Sequence, residues 1–186
     1  DIFFVISGFL IGGLLWSELN TSGNVKLGAF FGRRIRRLAP AFFVVALTTL
    51  AAAYFILLPY DFREFGQELV AATVYLANIH FFMDAGYFDT VSDRKLLLHT
   101  WSLAVEEQFY LIFPMFMIWT VATEKTRRLV TLTIVAIASL IFCEWAWRNA
   151  PEANFFLAPS RVWELMAGVF CAFYLQQPRE HSAVIK

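Results

Sequence analysis

Residues 99–114 read HTWSLAVEEQFYLIFP, with a histidine, a serine and two adjacent glutamates at the mouth of a strongly apolar run. A helix turns about 100° per residue. On one, His99, Ser102, Glu106 and Tyr110 fall on a narrow stripe, Glu107 lies to one side, and Trp101 and Gln108 point nearly opposite. Such a stripe could hold a proton, orient a base or bind a hydroxyl. It could not face lipid, where an ionised carboxylate costs at least about 2 to 3 kcal/mol. The helix dipole accounts for acidic side chains only in the first turn. Glu106 lies about two turns in, so the expected catalytic group is Glu106, with His99 and Ser102 beside it in the pattern.

Other charges are local. Arg33, Arg34, Arg36 and Arg37 cover both sides of one helical turn. Read alone, such a knot anchors a membrane span at its cytoplasmic end; the alternative is an anion site, because the guanidinium fork suits phosphate. A second basic group holds Lys125, Arg127 and Arg128. Arg161 and Glu164 form an i,i+3 pair inside an apolar helix and can neutralise each other. Glu144 and Arg148, beside Trp145 and Trp147, read as an interfacial helix end. His80 reads as a satisfied interior group, His181 carries no signal, and Ser7-Gly8 suits close helix packing. No GxSxG elbow, Walker loop, Rossmann glycine pattern, HExxH or zinc spacing occurs. No metal is expected. Cys143 and Cys171 lie far apart in apolar runs and are expected to be buried thiols.

The elements that must carry these residues follow from composition. The chain has 186 residues, 59% hydrophobic, with 21 Phe and zero formal net charge, and a mean hydropathy of +0.60. A soluble core could not hide so many large side chains, so lipid is the expected solvent, and zero net charge speaks against nucleic-acid binding. The expected class is an all-α, polytopic transmembrane helix bundle. Spans are expected over 2–19, 41–58 (a fresh helix starting at Pro40), 69–83, 100–121, 129–147 and 155–175. Gly23 and Asn24 mark one turn, Gly86, Asp89, Ser92 and Asp93 another. The first span lacks a signal peptide's basic start and cleavage site, and at about 22 Å it is short for a bilayer core of about 30 Å. The expectation is therefore an internal fragment of a longer protein. If both basic groups are cytoplasmic, an even number of crossings must separate them. The segment 69–83 is short enough not to cross; otherwise the second group breaks the rule.

Four segments, DIFFVISGFLIGGLL, FFGRRIRRLAP, HTWSLAVEEQFYLIFP and FFLAPSRVWELMAG, occur in that order. Together they resemble the membrane-bound acyltransferase-3 family, which includes bacterial O-antigen and peptidoglycan O-acetyltransferases. The resemblance implies a bundle of about ten helices, with residues 1–186 a partial domain lacking the first membrane helix and the C-terminal helices. It implies transfer of an acyl group, usually acetyl from acetyl-CoA, to a glycan or lipid-linked saccharide hydroxyl at the bacterial inner membrane. It places the family's catalytic histidine upstream of Asp1, so the fragment alone is expected to be inactive. It matches Arg34 and Arg37 to paired arginines and so favours a site for CoA phosphates. It matches His99, Trp101, Ser102, Glu106 and Glu107 to one motif, and Arg161, Trp163 and Glu164 to another. The lipid bilayer, acyl-CoA and a glycan acceptor are the expected partners, and no bound cofactor is expected. A transporter or flippase is the rival class, since intramembrane ionisable residues also mark substrate paths; it would call for inverted repeats, which are not visible. A structural membrane subunit would need no polar stripe.

Overall fold

The computed structural model describes residues 2–23, 25–85, 95–120 and 123–176. Helices α1 (Ile2–Ser22), α2 (Leu27–Ile56), α3 (Pro59–Thr73), α4 (Ala77–Ala85), α5 (Thr100–Trp119), α6 (Lys125–Asn149), α7 (Pro151–Phe156) and α8 (Val162–Leu175) follow in order, with a 3-10 turn over Ala158–Ser160. No strand occurs among the described residues. Of these helices, α1, α2 and most of α6 are long and apolar enough to cross a membrane, and α8 is a shorter apolar helix. Large side chains such as Val44, Leu47, Phe55, Ile134 and Ile141 point outward, a surface that only lipid or further protein would cover. The chain is an all-α, multi-pass membrane helix bundle, as its composition predicts.

Helix α1 sets the direction of the rest. Phe4 meets Trp101 at 6.0 Å between ring centroids, and Ser7 meets Glu106. Farther along, Arg128 lies 5.9 Å over Trp16 and donates to the Thr120 carbonyl, just past the end of α5, at 3.1 Å. Helices α1 and α5 are therefore parallel. Helix α8 is parallel to them too: Gly8 lies against Leu165 and Gly12 against Val169, and Trp16 packs on Phe173 at 4.2 Å. Where α1 and α8 cross, their backbones touch. A Cβ on Gly8 would lie 1.9 Å from the Leu165 carbonyl oxygen, and one on Gly168 would lie 1.9 Å from that of Val5. The expected packing role of Ser7-Gly8 holds for Gly8.

Three expectations are corrected. No fresh helix starts at Pro40: α2 runs unbroken from Leu27 to Ile56 with Pro40 inside it. Proline removes one N–H and crowds the preceding turn, which can bend a membrane helix without ending it. The basic knot and the second span thus share one helix. Residues 69–83 do not form one span either. Helix α3 ends where Leu76 N–H bonds Ala71 O at 2.8 Å and Tyr75 takes a left-handed φ of 56°, a reversal of Schellman type. Past it, Asp84 of α4 meets Lys95 at 3.6 Å, while Glu68 of α3 meets the Leu97 N–H at 3.4 Å. Residues 68 and 84 are thereby close, so the last part of α3, from Glu68 on, and α4 form a hairpin. Among the described residues, α2 and the 20-residue α5, about 30 Å long and so of bilayer length, lie between the two basic groups, an arrangement that puts both groups on one face. The segment 155–175 is likewise broken, into α7, the 3-10 turn and α8. Pro159 lies in the break, and the Ser160 hydroxyl donates to the carbonyls of Asn154 (2.8 Å) and Leu157 (2.7 Å).

The cysteines are corrected as well: Cys143 is half-buried and Cys171 exposed on the protein surface. An apolar run in a membrane protein hides its side chains in lipid as readily as in protein. Asn24, Gly86, Asp89, Ser92, Asp93 and His181 lie outside the described residues.

Candidate active site

Helix α5 carries Glu106 to the junction with α1. There Ser7 Oγ donates to Glu106 Oε2 at 2.8 Å. One turn along α5, the Tyr110 hydroxyl donates to the same oxygen at 3.1 Å. All three residues are buried, Glu106 with only 4% of its surface exposed. The other oxygen, Oε1, is buried with no hydrogen-bond partner among the described residues.

Helix α2 supplies the cation. Arg34 donates from its terminal nitrogen to Glu107 Oε1 at 2.9 Å, and its guanidinium carbon lies 3.5 Å from the centroid of the Tyr110 ring. Arg34 Nε is also buried, with no partner among the described residues. Because α2 is continuous through Pro40, Arg34 is held by a membrane helix and not by a loose interfacial segment. One guanidinium thus lies beside two neighbouring carboxylates and bonds one of them. Glu107 is neutralised by it, whereas Glu106 has only hydroxyl donors. An uncompensated buried charge is costly, so Glu106 calls for one proton or one further donor at Oε1. The group can hold a proton there, or accept an N–H or O–H from outside.

The expected stripe is divided. Glu106 and Tyr110 are brought together. His99 is exposed at the start of α5, about 10 Å along the axis from Glu106. The Ser102 hydroxyl turns back to the His99 carbonyl at 3.2 Å. Trp101 packs on Phe155 at 4.6 Å. Near it lies a second polar centre, Arg161 bonded to Glu164 at 2.9 Å, with the Arg161 guanidinium 5.9 Å from the Trp101 ring. Arg37 is exposed one turn beyond Arg34, and Arg33 points toward Glu18 at 4.0 Å. Glu144 and Arg148 form the expected exposed pair, 2.8 Å from Nε to Oε1, and His80 stands 3.7 Å from Asp84.

Ser7 is the residue of this cluster that sequence reasoning treated as packing alone. No spacing rule links it to Glu106; its one signal is a hydroxyl in a helix of otherwise apolar and glycine neighbours.

A family model described as an acyltransferase domain matches residues 1–185. The chain is 35% identical over 185 residues to an uncharacterized protein of Haemophilus influenzae, covering 94% of this chain and 74% of that one. It is 33% identical over 179 residues to a Staphylococcus aureus protein provisionally named an O-acetyltransferase, covering 93% of this chain and 29% of that one. It is 32% identical over 179 residues to the peptidoglycan O-acetyltransferase OatA of Listeria monocytogenes, covering 93% of this chain and 28% of that one. The chain thus spans under a third of the length of the latter two. No solved structure matches it.

Proposed function

This chain belongs to the acyltransferase-3 family, and we propose accordingly that the complete protein is an O-acetyltransferase. It moves an acyl group, acetyl first among the options, from acyl-CoA to a hydroxyl of a cell-envelope or exported glycan, free or lipid-linked. The thioester C–S bond breaks, an ester C–O bond forms, and the hydroxyl proton ends on the CoA thiol. The names of the Staphylococcus and Listeria relatives support this reaction class. The positive-inside rule puts the shared basic face in the cytoplasm, where the donor is made. We place the protein in the bacterial cytoplasmic membrane on that ground. Arg37, exposed on α2, is suited to the donor's phosphates.

The observation that carries the reading is Glu106, buried, bonded twice at Oε2 and with no partner at Oε1 among the described residues. A carboxylate held in this way orients an imidazole through its N–H, or holds an acceptor hydroxyl, with little reorganisation. The family's histidine is the partner we assign to Oε1. The test is Glu106→Gln in the complete protein, with labelled acetyl-CoA and membranes carrying the native glycan. Transfer should fall by about 100-fold or more at normal membrane abundance. Unchanged transfer would overturn the role of Glu106.

A further inference from the structure

We propose that Glu107 and Arg34 are positioning residues for Glu106, acting through the ring of Tyr110, and that Arg34 is not a seat for the anionic donor. The inference rests on the acyl-transfer reading and reassigns one of the two arginines. Three contacts run in series. Glu107 holds the Arg34 terminal nitrogen at 2.9 Å; the guanidinium lies 3.5 Å from the Tyr110 ring centroid; the Tyr110 hydroxyl reaches Glu106 Oε2 at 3.1 Å. A planar guanidinium laid on a ring fixes the plane of that ring. It also draws electron density from the phenol, which strengthens the hydroxyl as a donor. Tyr110 sits one turn beyond Glu106 on the same helix, so the ring's orientation decides whether the hydroxyl meets the carboxylate.

Charge argues against the anion seat. Arg34 is already neutralised, and a phosphate arriving there would displace one carboxylate and confront a second, Glu106. Arg36 and Arg37 are exposed on the same stretch of α2 and meet an anion without either cost.

The two assignments predict opposite results for Glu107→Gln. Transfer from labelled acetyl-CoA is measured with the complete protein in membrane vesicles, using the vesicles' own glycan as acceptor. Positioning predicts that kcat falls by between about 10- and about 100-fold, while KM for acetyl-CoA stays within about twofold. Glu107→Asp should restore part of the rate. Tyr110→Phe should cost as much as Glu107→Gln, and the double variant no more than either alone. A lower KM in Glu107→Gln would show a freed Arg34 binding the donor, and would overturn the proposal. So would full activity. Thermal unfolding of the same variants gives a readout independent of turnover: residues 107 and 110 should show coupled, not additive, losses. If the wild-type protein transfers no acetyl group, the acyl-transfer reading fails; additive unfolding losses would sink the positioning chain by itself.

Discussion

Ser7 and Glu106 stand 99 residues apart in the chain and 2.8 Å apart in space, with the serine hydroxyl donating to the carboxylate. Helices α1 and α5 are tied by this bond, and both of its side chains are buried. Hydrogen bonds to charged groups contribute about 1.5 to 3 kcal/mol, or roughly tenfold to a hundredfold in rate if they hold a reacting group. Ser7→Ala should therefore slow acetyl transfer by about tenfold or more, whereas Ser7→Thr, which keeps the hydroxyl, should retain most of it. Transfer assays on the two variants at equal membrane abundance check this. Equal rates in Ser7→Ala and wild type would leave the bond a packing detail.

The α1–α8 crossing leaves no room for a Cβ. Gly8→Ala and Gly168→Ala each force a methyl group to within 1.9 Å of a carbonyl oxygen of the facing helix. Overpacking of this kind costs about 1 to 3 kcal/mol and more where backbone must move. Both variants should melt at lower temperature in detergent and accumulate poorly in membranes. Gly28→Ala and Gly66→Ala, whose added Cβ would meet nothing within 4 Å, should melt within a few degrees of wild type.

The shared basic face can be read by labelling. In a background with Cys143 and Cys171 replaced by Ser, Arg36→Cys, Glu124→Cys and Glu152→Cys each put one thiol at an exposed position. An impermeant maleimide applied to intact cells should label Glu152→Cys and spare the other two. Labelling of Arg36→Cys and Glu124→Cys from opposite sides would mean that the α3–α4 hairpin crosses after all.

Glu68, in the α3–α4 hairpin and outside the spanning helices, brings a pH dependence. Burial pushes its carboxyl from the ordinary 4.5 up to about 7, partly offset by the Leu97 N–H and Lys95. The folded protein then holds a proton that the unfolded chain releases between those values. Stability from this group is fully present below pH 4.5 and is lost as pH rises through 7. The melting temperature in detergent should drop between about pH 4.5 and about pH 7, and Glu68→Gln should flatten that drop and be the more stable form at the alkaline end. A wild-type profile that rises with pH over this range would contradict the assignment.

Local spacing made part of this site legible. Glu106 and Tyr110 are four apart on one helix, so their meeting follows from helical geometry alone. The same pattern over-reached at His99, because seven residues of rise separate it from Glu106 even on the same stripe. Ser7 and Arg34 were not legible as partners of α5, since their contacts depend on which helices pack together and in which direction. The hairpin was half legible: the shortness of 69–83 was visible, but the left-handed Tyr75 that reverses the chain is an unusual backbone state for a non-glycine residue. Pro40 misled because the rule that proline breaks helices is drawn from water-exposed helices.

Helices α1, α5 and α8 run one way, and α2 and α6 run back. Each helix behaves as about half a positive charge at its start and half a negative charge at its end. Three against two leaves one helix's worth unopposed among these five. Among these five, the helix ends are unequal before any side chain is counted: negative charge gains by lying at the first turn of α5, and a cation by lying at its last. Arg128, bonded to the carbonyl of Thr120 at the close of α5, sits at the pole where that imbalance needs a cation.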